Sequence, residues 1–188
     1  TGSGVSYLQY KTPGSSSWTT YSSGTTISAS ATNGLYQFRA VDNAGNTSAV
    51  SSIYLDTAIP TGKITDSNGT TVTTTTNKAF KYTASDGLSG IAYMQYKKPN
   101  STVWETYAAG TLIQTTDTNG IYRFRAFDNA GNESETVMIC LDTVKPTGTL
   151  YGGTSTVASG GKTNANYVKF VPSDSMSGIK SIYVQTPS

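Results

Sequence analysis

Apolar and polar residues alternate in two nearly identical stretches of the chain. Gly34-Leu35-Tyr36-Gln37-Phe38-Arg39-Ala40-Val41 and Gly120-Ile121-Tyr122-Arg123-Phe124-Arg125-Ala126-Phe127 put Tyr, Phe and Ala on one side and Gln or Arg on the other. A period of two suits a strand with one buried face. Each stretch runs into Asp-Asn-Ala-Gly-Asn, residues 42–46 and 128–132. These residue types tolerate positive φ and hydrogen-bond back to their own backbone, so a tight turn is expected. A second apolar segment and a Pro-Thr-Gly follow each copy, and each unit is expected to be a β-hairpin.

The similarity extends far beyond the hairpin. Ser3 falls on Ser89, and the same offset of 86 holds without a gap to Pro60 on Pro146. Tyr7 meets Tyr93, Trp18 meets Trp104, Tyr21 meets Tyr107 and Asp56 meets Asp142. A third copy begins: residues 81–91 recur as residues 169–179 at an offset of 88. Repetition on this scale sets the organisation before any single element does. The expected division is 1–57 as the C-terminal part of one module, 58–143 as a complete module and 144–188 as the N-terminal part of a third, whose last expected strand, a copy of 91–97, stops at Pro187.

Within the complete module, strands are expected at 62–65, 79–84, 91–97, 112–115, 121–128 and 136–141, with a weaker one at 103–107. About seven short strands separated by turn signals, and no helical periodicity, point to an all-β, immunoglobulin-like sandwich. A barrel is the alternative. Parity assigns Phe80, Tyr82, Met94, Tyr96, Ile113, Tyr122, Phe124, Ala126, Val137, Ile139 and Leu141 to the core, with Arg123, Arg125 and Cys140 outside. Asn-Gly-x-Tyr-x-Phe also matches the tyrosine-corner position of immunoglobulin strands, with Phe38 and Phe124 where antibody domains carry a cysteine.

Composition narrows the function. The net charge is +2, charged residues are 13 % of the chain, and no Lys/Arg run exists, so nucleic acid is not an expected partner. No apolar run approaches a membrane span, and any export signal or anchor is expected outside these residues. Cys140 stands alone and histidine is absent, which removes an internal disulfide, the commonest general base and the commonest transition-metal ligand. Aromatic residues at 11 %, regularly placed, argue for packed cores rather than disorder. No nucleophile–base pair or carboxylate cleft is expected, hence no enzyme and no required cofactor.

Phe-Arg-Ala-x-Asp-Asn-Ala-Gly-Asn-x-Ser followed by Leu-Asp-Thr-x-x-Pro-Thr-Gly resembles the bacterial immunoglobulin-like repeats of large surface adhesins and other cell-envelope proteins. The resemblance covers almost the whole chain. It implies an extracellular, cell-surface or cell-wall spacer that holds a terminal domain away from the cell, its neighbours being modules of the same kind, with calcium between modules in some members.

Calcium is the one metal that the residues themselves suit, because carboxylates, Asn side chains and backbone carbonyls are hard oxygen ligands. In a sandwich of this topology Asp56 in the first linker is expected to approach Asp86 and Asp128, and Asp142 to approach Asp174. The competing reading is that these aspartates start Asx turns and cap strand ends. A carbohydrate-binding module is the alternative function, with Trp18 and Tyr21, or Trp104 and Tyr107, as stacking platforms; packing of those rings is the competing reading. A Lys-Asn isopeptide crosslink is not expected, since the last strand offers no Asn. Sequons at Asn46, Asn68, Asn100 and Asn132 are expected by chance in so Ser/Thr-rich a chain. Residues 1–57 and 144–188 hold complementary halves of a module, which leaves a head-to-tail filament of identical chains as a further alternative to a segment of a longer array.

Overall fold

The computed structural model describes residues 2–185. These residues form no helix, so none is long and apolar enough to cross a membrane. The strands are β1 (Val5–Lys11), β2 (Thr19–Tyr21), β3 (Gly34–Asp42), β4 (Ser51–Leu55), β5 (Thr61–Asp66), β6 (Thr75–Thr76), β7 (Phe80–Ser85), β8 (Ile91–Lys97), β9 (Glu105–Tyr107), β10 (Gly120–Asp128), β11 (Val137–Leu141), β12 (Thr147–Gly152), β13 (Ser155–Val157) and β14 (Val168–Ser173). They build four sheets, ordered β2-β1-β3-β4, β6-β11-β10-β8-β9, β13-β12-β14 and β5-β7. The fold is all-β and sandwich-like.

The hairpins form where the alternation places them, and their turns are tight: Gly45 N–H donates to the Asp42 carbonyl and Asp42 N–H to the Asn46 carbonyl, each at 3.0 Å. In β3 and β4 the ladder runs from Gly34↔Leu55 to Phe38↔Ser51. Beyond it Ser48 takes over, its Oγ accepting from Ala40 N at 2.9 Å while its own N–H donates to the Ala40 carbonyl. Ser134 does the same for Ala126. Backbone groups that leave the ladder are thus met by a side chain, as buried amides require.

Two compact units make up the chain. One comprises Thr1–Gly62, Ala84–Gln95 and Arg125–Glu135; the other comprises Lys63–Thr83, Tyr96–Phe124 and Thr136–Ser188. In the first, Tyr10, Tyr21 and Phe38 pack with ring centroids 5.3–6.3 Å apart, and Tyr36 and Val41 are buried. In the second, Phe80, Tyr82, Tyr96, Tyr107 and Tyr122 surround Phe124, beside buried Ile64, Ile113, Ile139 and Leu141.

Tyr122 Oη donates to the Thr118 carbonyl at 2.8 Å and Tyr36 Oη to the Thr32 carbonyl at 2.9 Å, each four residues upstream. Gly120 beside this corner is obligatory: its φ is +132°, and a Cβ there would lie 2.7 Å from Pro99 Cβ.

Three expectations need correction. Residues 112–115 form no strand, because Ile113 makes a single bridge to Phe80 and Gln114 N–H donates to Asp117 Oδ2 at 2.7 Å, drawing the chain into a turn. Val137 and Tyr96 are half-buried rather than in the core, while Tyr107 and Ile64, not assigned to it, are buried. The third copy of the strand seen as β8, expected to stop at Pro187, is absent from residues 179–185; those residues find no ladder partner, and Tyr183 is 91 % exposed. Pro187 itself lies outside the described residues.

Candidate metal centre and linker clasp

Asp56 follows β4 directly and ends its strand. Its Oδ1 accepts from Ala58 N–H at 3.0 Å, which bends the chain toward the buried Pro60. Its Oδ2 accepts from Ser89 N–H at 3.0 Å, and its carbonyl accepts from Asn132 Nδ2 at 3.0 Å. Thr61 Oγ1, at the start of β5, lies 3.1 Å from Ser85 Oγ. The segment from 56 to 61 is therefore tied by both side chain and backbone to the loops that follow β7 and β10.

Those loops carry the other two carboxylates. Asp86 opens Asp-Gly-Leu-Ser-Gly, and its Oδ1 accepts from Leu88 N–H at 3.0 Å and Gly90 N–H at 2.8 Å. Asp128 ends β10, and its Oδ1 accepts from Ala130 N–H at 2.9 Å and Asn132 N–H at 2.8 Å, its Oδ2 from Asn132 Nδ2 at 2.8 Å. One carboxylate oxygen from each of Asp56, Asp86 and Asp128 lies within 4.8 Å of the others. Asp128 is 2 % exposed and Asp56 8 %. The structure thus joins the three aspartates expected at the first linker, and each also makes the turn bonds of the competing reading.

The electrostatics follow from the donors. Burial pushes the Asp128 carboxyl up, but the side-chain and backbone hydrogen bonds of Asn132, with those of Gly131 and Ala130, outweigh it and hold the group below the ordinary carboxylate value. Backbone bonds from Leu88 and Gly90 likewise lower Asp86. Ionised carboxylates this close repel one another by about 1 kcal/mol per pair in a water-like medium, more in a drier one. The donor set fits a hard divalent cation in both charge and atom type. A carboxylate offers about four lone-pair sites, so even Asp128 with its three donors keeps acceptor capacity.

After β11 the pattern is shorter by one carboxylate. Asp142 Oδ1 accepts from Val144 N–H at 3.0 Å and its Oδ2 from Ser177 N–H at 3.1 Å. Asp174 Oδ1 accepts from the amides of Met176, Ser177 and Gly178, and those of Met176 and Gly178 lower its carboxyl most. Both aspartates line a concavity of about 800 Å³ with Asp66, Thr76 and Lys78. Among the described residues no cluster of three potential ligands forms here.

The aromatic pairs are placed differently from a stacking platform. Tyr107 is 3 % exposed, packs edge-on against Phe124 at 5.2 Å, and donates its hydroxyl to the Thr111 carbonyl. It has no face open to a sugar ring. Tyr21 is half-buried against Tyr10 and Phe38. Trp18 carries the Arg39 guanidinium at 4.2 Å and the Lys11 ammonium at 4.9 Å over its ring; Trp104 carries Lys97 at 4.8 Å. Both indoles are half-buried.

The residue that sequence reasoning passed over is Asn132. Its Nδ2 joins Asp128 Oδ2 to the Asp56 carbonyl and so ties turn to linker. The signal was present, since the same Asn closes the earlier Asp-Asn-Ala-Gly-Asn, where Asn46 Nδ2 donates to Asp42 Oδ2 at 3.0 Å. A turn residue and a cross-tie look alike until the opposing carbonyl is known. Compared with known proteins, the chain matches no family model and no curated protein.

Proposed function

We propose that this chain is a segment of tandem immunoglobulin-like modules that serves as an extracellular spacer in a bacterial surface or adhesin-like protein, divided at 57/58 and 143/144. Adding 86 to the bounds of β1, β2, β3, β4 and β5 yields those of β8, β9, β10, β11 and β12, and adding 88 to β7 yields β14. The two Tyr-to-carbonyl bonds stand at the tyrosine-corner position of such sandwiches. The surface location rests on the resemblance of the repeated motifs.

The observation that carries the spacer role is the clasp. Asp56 is held by Ser89 and Asn132, and Asp142 is held by Ser177 in the same way. A linker with its carboxylate and carbonyl both engaged passes orientation from one module to the next, whereas a free Ser/Thr-rich linker would not. Small-angle scattering on chains with one, two and three added copies of residues 58–143 tests this. The maximum dimension is expected to grow by a constant step per copy, and growth nearer the square root of copy number would overturn the spacer reading.

Calcium belongs to the same proposal. Asp56, Asp86 and Asp128 would hold the ion, which would neutralise their mutual repulsion and brace the linker. With free Ca²⁺ at a hundredfold excess over its Kd, the melting transition of this region is expected to rise by about 5–10 °C, and Asp56→Ala should abolish the rise. An equal rise in the variant, or none in the wild type at millimolar Ca²⁺, would remove the ion from the proposal.

A further inference from the structure

Arg123 and Arg125 both project from the outer face of β10, yet their surroundings differ. Arg125 is engaged by Gln95 Oε1 at 2.8 Å and Glu133 Oε1 at 2.7 Å. Arg123 is half-buried, and among the described residues its guanidinium meets no acceptor and no carboxylate. It lines a concavity of about 440 Å³ together with Pro99, Asn100, Asn119, Ile121 and Met176, and among the described residues no acidic one lines that concavity. A guanidinium drawn partly out of water without a counter-charge awaits an anion.

The carboxamides beside it, half-buried Asn119 and exposed Asn100, keep donors to spare. Asn119 Oδ1 accepts from both Thr143 N–H and Thr143 Oγ1 at 3.1 Å, an arrangement that leaves the Nδ2 donors spare. The Asn100 side chain makes no hydrogen bond within the described residues. Asn100 is also the one non-glycine with positive φ among them, at +62°.

The earlier copy of this turn supplies an internal comparison. There Gly14 occupies the position of Asn100, with φ +73°, and Gln37 occupies that of Arg123. Glycine adopts this backbone freely, and asparagine is among the few side chains that enter it readily. The turn does not need Asn to form, nor does the strand need Arg. Both departures from the earlier copy fall on the same concavity.

We infer that this concavity binds a carboxylate-bearing pyranose, a sugar acid within a glycan. The planar guanidinium fork of Arg123 matches a carboxylate with two parallel N–H···O bonds. The carboxamides of Asn100 and Asn119 supply the donors and acceptor that ring hydroxyls require. Pro99, Ile121 and Met176 give the apolar surface on which the C–H face of the ring rests. The site is separate from Trp104 and Tyr107 and does not depend on the spacer reading.

Nitrogen-15 NMR of the whole chain tests the inference with D-glucuronate and, as its uncharged counterpart, D-glucose. Glucuronate is expected to shift the Arg123 Nε–H and the Asn100 and Asn119 carboxamide signals saturably, while glucose at equal concentration leaves them in place. Arg123→Gln, which restores the residue of the earlier copy, should weaken glucuronate binding about tenfold or more. Asn100→Gly should also weaken it without lowering the melting temperature. No response to glucuronate, an equal response to glucose, unchanged binding by Arg123→Gln, or the same shifts from inorganic phosphate alone would each overturn the sugar-acid assignment.

Discussion

Replacing Phe124 by Ala is expected to destabilise the chain by about 3–5 kcal/mol. Phe124 is 0 % exposed and lies at the centre of an aromatic cluster. Its ring stacks on Tyr82 at 5.1 Å and on Tyr96 at 6.1 Å, and meets Phe80 and Tyr107 edge-on at 6.2 and 5.2 Å. Truncation removes one of the largest fully buried side chains and leaves a cavity whose walls are rigid rings that collapse poorly. Phe38, at the same place in the earlier copy, is half-buried against Tyr10 and Tyr21, so Phe38→Ala should cost clearly less. Urea unfolding of the two variants measures the difference. A loss under about 1 kcal/mol for Phe124→Ala would mean that this cluster does not govern stability.

The second large effect lies in the acidic centre. Asp128→Ala takes away the acceptor for Ala130 N–H, Asn132 N–H and Asn132 Nδ2 in a place almost closed to water. Unmet donors dominate, and a loss of about 2–3 kcal/mol is expected. Asp128→Asn separates the causes. An asparagine keeps one oxygen for the two backbone amides and relieves repulsion from Asp56 and Asp86, while its NH2 loses the bond from Asn132 Nδ2, so without calcium a loss of about 1 kcal/mol, smaller than that of Asp128→Ala, is expected.

The pH dependence has a definite sign. The folded Asp128 carboxyl lies below its ordinary value of 3.8, so its stabilisation is complete above that value and is lost as pH falls through the folded value. Acid titration of stability should therefore show a wild-type loss below about pH 4 that is smaller in Asp128→Asn, which keeps the lowered carboxyls of Asp42, Asp86 and Asp174. If the two titrate alike, the hydrogen bonds to Asp128 do not favour its ionised form.

Much of this was legible in the chain because it is local. Alternation alone marked 91–97 as a strand, and β8 has those bounds. It also marked Tyr122, Phe124 and Ala126 as inward, and all three are buried. Asp-Asn-Ala-Gly-Asn makes its Asx turn from side chains and amides within five residues of one another. Even the meeting of Asp56 with Asp86 and Asp128 followed from strand order plus the ends at which loops emerge.

Other features depended on groups distant in sequence. Residues 112–115 have strand-like composition, yet Ile113 has only the Phe80 bridge, and a strand exists only where a ladder partner continues. Packing is the reading the sequence favours for Tyr107 over a ligand platform; what buries it is Tyr82, Tyr96 and Phe124 closing around it. Asn132 became a cross-tie because the Asp56 carbonyl lies 3.0 Å away, across 76 residues of chain. Arg123 and Arg125 are indistinguishable by parity, and only their neighbours in space leave one paired and the other facing an amide-lined concavity. By itself the sequence determined the β-period, the turns and the repeat, since each is set by neighbours a few residues apart or by plain identity. Tertiary structure alone decided burial, cross-ties and uncompensated charge, because each is a property of what lies opposite in space.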